Sequence, residues 1–145
     1  MNEFIRLDRA NILGFAEVYR SVFNAPPWND GWSSEAASER LQLFASFPTF
    51  QGTGLVHGSR AAGLALGWGE RWVDGWTFHL KEMCLDQTLH RQGFGTSLMD
   101  ALENSLRQQG FDSINLQTGR TAPAANFYAQ LGFRNLDLVS LIKRL

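Results

Sequence analysis

Cysteine is almost absent from this sequence, since Cys84 is the only one among 145 residues. A single thiol cannot form an internal disulfide framework, and it cannot supply a zinc site built from several cysteines. No apolar run is long enough to span a membrane. The first residues, Met1 to Phe4, lack the basic and apolar regions of a signal peptide. These absences predict a cytoplasmic protein with no metal site and no membrane partner.

An excess of charge of one sign is also lacking. The chain has 13 Lys and Arg against 14 Asp and Glu, for a formal net charge of -1. Without a basic field, we do not expect nucleic acid as a partner. Hydrophobic residues make up 44% of the chain and charged residues 19%, which is typical of a globular protein. We therefore expect residues 1–145 to form a single domain, and the composition leaves a homodimer open.

The most informative stretch is residues 82–96, which reads EMCLDQTLHRQGFGT. It has the character of a strand end, a short loop with two glycines, and the start of a long helix. A helix start presents free backbone N–H groups and a partial positive charge, and glycines let an anion approach closely. The stretch therefore predicts a pyrophosphate cradle. The competing interpretation is a strand–loop–helix junction whose glycines only allow a turn.

Three phosphate-binding motifs can be compared with this stretch. The P-loop needs Lys followed by Ser or Thr after its last glycine, but Gly95 is followed by Thr96 and Ser97. The dinucleotide fingerprint needs a third glycine where Leu98 stands. The loop is similar instead to the acyl-CoA loop of the GNAT superfamily of N-acyltransferases, Q/R-x-x-G-x-G/A. Both glycines match, and His90 departs from the first position.

Periodicity and turn residues predict alternating strands and helices. Strands are expected over residues 3–7, 55–57, 61–68, 77–85, 113–118 and 138–145. Helices are expected over residues 9–23, from a cap at Ser33 or Ser34 to Pro48, from Gly95 to Gly110, and from a cap at Thr121 to Gly132.

A second motif supports the resemblance. Residues 127–133 read FYAQLGF, which is similar to the second GNAT signature: an aromatic or aliphatic residue, Tyr, two variable residues, Leu, Gly and Phe. The spacing from Gly95 to Tyr128 suits one helix, one strand and one turn. The resemblance is close over residues 77–133 and looser in the N-terminal half.

The resemblance implies an α/β (α+β) fold with a mixed, mostly antiparallel sheet of six or seven strands and helices on both faces. It also implies a splayed central strand pair that admits the pantetheine arm of acetyl-CoA. The expected cofactor-binding residues are Met83, Cys84, Leu85, His90, Arg91, Gln92, Gly93, Phe94, Gly95, Thr96, Asn126 and Phe127. Asn126 is included because Thr121 stands where the family often has Asn.

Two residues are candidates for proton transfer. Tyr128 matches the family tyrosine whose hydroxyl lies near the cofactor sulfur, so it is the candidate acid; the alternative is a core tyrosine. Glu82 is the candidate base, because strand alternation places it with Phe78, Leu80 and Cys84 and burial would raise its pKa. Its alternative is a structural ion pair with an arginine such as Arg120 or Arg71.

Tryptophans dominate the N-terminal half, where the resemblance places the acceptor site. Trp28, Trp32, Trp72 and Trp76 are the expected substrate-binding residues, with Asp30, Glu70 and Asp74 interleaved. Aromatic faces with carboxylates suit a cationic amine. The alternative is ordinary packing. A buried structural thiol is the favoured interpretation of Cys84, and the three histidines lack metal-ligand spacing.

The predicted function is transfer of an acetyl group from acetyl-CoA to a primary amine of a small molecule. One alternative is a non-catalytic CoA-binding or regulatory module. Another is acetylation of protein N-termini or lysines. A peptide acceptor is less favoured, because some peptide-acetylating relatives carry a Glu where this chain has Gln117.

Overall fold

Five strands form one open sheet with helices on both faces. The computed structural model describes residues 1–145. The strands are β1 (Asn2–Arg6), β2 (Phe50–His57), β3 (Arg60–Trp72), β4 (Gly75–Leu85) and β5 (Phe111–Leu116), and the helices are α1 (Ala16–Asn24), α2 (Ser34–Ser46), α3 (Phe94–Gln108) and α4 (Pro123–Gln130). Strand order follows the chain, and only the β4–β5 pair is parallel. The predicted mixed α/β fold is confirmed.

The core has two halves, one on each face of the sheet. On one face α1 and α2 bury a cluster that includes Tyr19, Leu41 and Leu66. On the other face α3 buries a cluster that includes Phe78 and Leu98, and α4 packs its aromatic residues against it. Each helix has one apolar stripe and the sheet has two apolar faces. Packing helices on both faces removes the stripes and the faces from water.

Ser33, rather than Ser34, caps α2. Its side-chain oxygen accepts the backbone N–H of Ala36 at 3.0 Å, which satisfies one of the free donors of the first turn. Ser33→Ala should therefore lower the free energy of unfolding by about 1 kcal/mol. Urea denaturation measures this, with Ser34→Ala as the neighbouring control that should change little. Equal losses in both variants would contradict the assigned cap.

A β-bulge in β4 changes which residues share a face. Leu66 pairs with Glu82 and Gly67 pairs with Leu80, so Lys81 is an extra residue between two paired positions. Phe78 and Leu80 belong to the α3 side, whereas Cys84 belongs to the α1–α2 side. The prediction that Glu82 shares a face with Phe78 and Leu80 is therefore wrong, because the bulge interrupts the alternation.

The sheet has fewer strands than the predicted six or seven. Residues 138–145 were expected as a final strand, but they have no regular secondary structure and their apolar side chains are exposed, with Leu141 at 91%. Their sequence, LVSLIKRL, has apolar residues in adjacent positions rather than in alternation. Such a strand needs cover on both faces.

The expected cap at Thr121 is also wrong, since Ala122 precedes α4 and provides no side-chain cap.

Candidate active site

The loop before α3 forms a concave row of backbone donors. Arg91 and Gly93 both have positive φ, 62° and 84°, which turns successive N–H groups toward one side. No backbone N–H group from Arg91 to Thr96 donates a hydrogen bond within the protein, and the first helical bond is from Ser97 to the Gly93 carbonyl at 3.1 Å. The loop thus combines free donors with the positive end of a helix of 15 residues.

Neighbouring side chains fix the shape of this loop. His90 Nε2 lies 2.9 Å from the Leu85 carbonyl oxygen, and Gln92 Nε2 donates to the Thr88 carbonyl at 2.8 Å. Asp86 accepts the backbone N–H of Thr88 at 2.9 Å, and this bond lowers the pKa of that carboxyl. His90 and Gln92, which were expected to bind the cofactor, therefore also hold the loop in its conformation.

The central strands separate next to the loop. Pairing between β4 and β5 ends at Leu80 and Leu116, whereas β4 continues to Leu85. The last residues of β4, including the predicted Met83, Cys84 and Leu85, therefore have one backbone edge without a strand partner. The resemblance implies a splayed strand pair at this place; here the edge of β4 is open because β5 ends at Leu116.

Tyr128 lies beside this opening. Its hydroxyl donates to the Met83 sulfur at 3.6 Å, and its ring packs against Phe127 and Phe133. The amide of Phe133 donates to the Tyr128 carbonyl at 3.1 Å, closing the end of α4 as the sequence predicted. Burial raises the pKa of Tyr128 to about 12. The phenol is therefore held in its protonated form, and a weak donor–sulfur contact is its only hydrogen bond.

Glu82 forms an ion pair with Arg40 of α2, not with the predicted Arg120 or Arg71. Both Nε, at 2.9 Å, and Nη2 of Arg40 donate to the same carboxylate oxygen, Oε1. Arg40 Nε also lies 2.9 Å from the Tyr19 hydroxyl. Glu82 is 8% exposed, yet Oε2 accepts no hydrogen bond and no buried side-chain oxygen is left without a partner. It follows that the protein does not completely enclose Oε2.

Tyr19 is part of the same network, and sequence reasoning did not identify it or Arg40. Burial, followed by the charge of Glu82, raises the pKa of Tyr19 well above its usual range. The guanidinium of Arg40 also lies 5.7 Å from the centroid of the Trp32 ring. The residues come from α1, α2 and β4, so only tertiary packing brings them together.

The sequence model of the acetyltransferase (GNAT) family matches residues 11–133. The chain belongs to this family. GNAT proteins use acetyl-CoA. The matched region includes residues 91–96, called here the donor loop, and the unpaired edge of β4 after Leu80, called here the strand opening. It also includes Tyr128.

One relative is detected by sequence. It is a protein of Bacillus subtilis (strain 168) whose name provisionally assigns it as an acetyltransferase, and it is 37% identical over 62 residues. That match spans 43% of this chain and 41% of the relative, which is less than half of either.

Solved GNAT structures resemble the whole chain in fold. An aminoglycoside acetyltransferase from an uncultured soil metagenomic sample, in complex with sisomicin, has a TM-score of 0.78 at 16% identity and covers 99% of this chain and 96% of its own. Aminoglycoside N-acetyltransferase AAC(6')-Iy in complex with CoA also has a TM-score of 0.78, at 12% identity, covering 99% and 95%. A ribosomal-protein-alanine N-acetyltransferase from Brucella melitensis biovar Abortus 2308 has 0.76 at 11% identity, covering 100% of both chains. At these identities the likeness concerns the fold alone.

The four predicted substrate tryptophans do not form one pocket in this GNAT domain. Trp28 packs on Phe23 and is 47% exposed, and Trp32 packs on Tyr19 on the α1–α2 side. Trp72 and Trp76 lie at the turn between β3 and β4. The ring of Trp76 is near Phe111, 5.9 Å between centroids, next to the α3 cluster. Of the four, Trp32 is the one that contacts the Arg40–Glu82 pair, through the Arg40 guanidinium.

The remaining predicted residues occupy different settings. Phe127 lies next to the donor loop, since a Cβ added at Gly95 would be 3.4 Å from its ring. Asn126 is exposed on α4. Cys84 is buried, and burial raises the pKa of its thiol far above the usual range.

No three His, Cys, Asp or Glu side chains come together in a way that could hold a metal ion. No helix has both the length and the apolar composition needed to cross a bilayer.

Proposed function

We propose that the protein transfers the acetyl group of acetyl-CoA to the primary amine of a small molecule. The observation that carries this proposal is the row of free backbone N–H groups from Arg91 to Thr96 at the start of α3. Donors of this kind suit a pyrophosphate, because several N–H groups and the helix dipole act on one anion. Arg91 is exposed and adds a cation beside them.

The rest of the cofactor fits the opening next to this loop. Acetyl-CoA would supply the acetyl group as a thioester. Met83, Cys84 and Leu85 would offer backbone groups to the pantetheine arm, because β5 does not pair with them. The Leu85 carbonyl already contacts His90. The backbone of Cys84 faces β3, because Asp86, two residues further on, donates to Ala62 of that strand. Met83 is therefore the strongest candidate. The buried Cys84 thiol takes no part.

Tyr128 is placed to act as the acid. When the amine attacks the acetyl carbon, a C–N bond forms, the C–S bond breaks and the sulfur leaves as a thiolate. Tyr128 already directs its hydroxyl at the Met83 sulfur beside the strand opening. It would give its proton to the leaving thiolate there. A tyrosine keeps this proton at neutral pH even at its ordinary pKa near ~10. Burial raises the pKa further, so the transfer depends on the thiolate being close and short-lived.

Glu82 is the proposed base. Arg40 binds Oε1, which leaves Oε2 free to accept the proton of the attacking amine, directly or through one water. The ion pair also fixes the direction of the carboxylate. A purely structural ion pair is the other role that this geometry allows, and the two roles differ in their consequences.

Glu82→Gln is expected to reduce kcat at neutral pH by about 10²-fold or more, the typical contribution of a general base. Activity should recover in part at high pH, because an amine with a pKa near ~10 then loses its proton without help. The melting temperature should also fall slightly, since Arg40 loses its partner at a site that is 39% exposed. A pH–rate profile and a melting curve on the same variant give the measurement.

Glu103→Gln is the matched control, because Glu103 forms an ion pair with Arg107 on α3 away from the strand opening. It should leave the pH–rate profile unchanged. If Glu82→Gln lowers the melting temperature but keeps the wild-type profile, Glu82 is structural and water or the amine itself carries the proton.

The acyl-transfer proposal is tested by incubating the protein with acetyl-CoA and a library of small primary amines, with the N-acetylated product detected by mass spectrometry. Acetylation of one or more amines that is lost in the Gly95→Asp variant supports the proposed acetyl transfer. Tight CoA binding without acetylation of any amine would favour the non-catalytic module. Faster acetylation of peptide N-termini than of any small amine would favour a protein acceptor.

A further inference from the structure

An open groove of about 550 Å³ lies on the sheet next to Glu82. It is lined by Trp68, Gly69, Glu70, Arg71, His79 and Lys81. Trp68 forms its apolar wall, since it packs against Phe44 and Phe47 of the α2 end. The size is within the range of about 300–1,000 Å³ that is typical of small-molecule sites.

The groove is adjacent to the proposed chemistry. Lys81 is the bulge residue between Leu80, the last β4 residue paired with β5, and Glu82. The groove therefore begins where the central strands separate. Lys81 lies over Trp68, which packs on α2, and Glu82 is bound by Arg40 of α2. The side chains of Lys81 and Glu82 are therefore both on the α1–α2 side.

The groove contains one unpaired cation on the face of Trp68. Lys81 Nζ lies 5.2 Å from the centroid of the Trp68 ring and forms no ion pair. Arg71 is paired with Trp76 in the register, so its side chain starts on the α3 face instead. The one carboxylate in the lining, Glu70, is engaged by His79 at 2.6 Å. An unpaired lysine held against an aromatic wall, beside a carboxylate that is already bonded, suits an anion more than a second cation.

The same distribution of charge argues against the expected pocket for a cationic amine. Of the carboxylates interleaved with the tryptophans, Asp30 accepts the Nε1–H of Trp32 at 3.1 Å and Glu70 is paired with His79. These groups are already bonded within the protein. A polycationic acceptor would have to displace them, and it would be repelled by Lys81.

We propose that the acceptor is an amine that also carries a carboxylate, as an amino acid does. This rests on the proposed acetyl transfer. The carboxylate binds Lys81, the body of the molecule lies along Trp68, and the amine points toward Glu82 and the strand opening. Lys81 is then a specificity-determining residue.

The test uses a panel of amino acids, each matched with its own amide. Calorimetry with CoA present measures binding without turnover, and kcat/KM with acetyl-CoA measures transfer. The wild type should prefer the carboxylate member by about tenfold or more in both, the effect of a hydrogen-bonded charge pair. Lys81→Met should remove most of this preference without changing CoA affinity. The acid-to-amide ratio is compared between variants, so differences in intrinsic amine reactivity cancel.

Lys143→Met is the matched control, because Lys143 is the only other lysine and lies in the exposed tail. It should keep the preference. Lys81→Gln provides a second variant at the same position and should weaken the preference in the same direction. Melting curves identify any variant that has not folded.

The outcomes separate the two proposals. Acetylation of amines with equal kcat/KM for acid and amide overturns the carboxylate proposal and leaves acetyl transfer intact. Failure of every amino acid to bind also overturns it, as does a preference that survives in both Lys81→Met and Lys81→Gln. Selective binding of the acids without any transfer keeps the groove assignment and overturns acetyl transfer.

Discussion

Replacing Gly95 with aspartate is expected to abolish CoA binding, with a loss of at least about 10²-fold in affinity. The new carboxylate would stand in the second position of α3, among the free N–H groups from Arg91 to Thr96. It would compete for those donors and repel the pyrophosphate. Isothermal titration calorimetry with CoA measures the loss directly.

Folding should survive this change. An added Cβ at Gly95 would be 3.4 Å from the Phe127 ring, which that ring can accommodate with a small shift, and Asp is favourable in the first turn of a helix. Gly95→Ala tests the space alone and should stay within a few-fold of wild-type affinity. Asn104→Asp adds the same charge farther along α3 and should have no effect. Unchanged CoA affinity in Gly95→Asp would refute the cofactor site.

Tyr128→Phe is expected to reduce kcat by about 10²-fold, at the lower end of what a general acid contributes. CoA affinity should change little, because only the hydroxyl is lost and the ring keeps its contacts with Phe127 and Phe133. Stability should also change little, since the hydroxyl makes only a weak bond to Met83. Steady-state kinetics combined with CoA calorimetry separates the two effects.

Met83→Leu is the matched control for Tyr128→Phe. It removes the sulfur that the hydroxyl contacts and leaves the hydroxyl itself, so kcat should stay close to wild type.

Because the pKa of Tyr128 is about 12, its ionisation should not limit the wild-type rate at any pH below about 11. Wild-type turnover in Tyr128→Phe would show that Tyr128 is a core residue.

Short-range features of the fold could be predicted from the sequence. The donor loop and the FYAQLGF segment depend on local backbone geometry, so a glycine or a tyrosine at the right spacing carries the information. The pairing of β2 with β3 depends on Gly58 and Ser59, which both have positive φ, as a tight hairpin turn requires.

Long-range features could not be predicted in this way. The bulge at Lys81 is set by the register of β3 against β4, and no local signal marks it, so the face of Glu82 was assigned wrongly. Arg40 and Glu82 are 42 residues apart, and their pairing follows from how α2 lies on the sheet. The apolar pattern of residues 138–145 indicated a strand, yet a strand also needs a partner edge and cover, which the sequence does not specify.

The burial of Cys84 has a practical consequence for measuring this enzyme. Disulfide reagents such as Ellman's reagent react with thiolates. The one protein thiol is enclosed and its pKa is raised well above the usual range by burial, so it should not react while the protein is folded. The colour that develops during turnover would then come from the thiol of released CoA alone. Continuous photometric assays can therefore be run without blocking or mutating the protein, and a slow rise in colour without substrate would report unfolding.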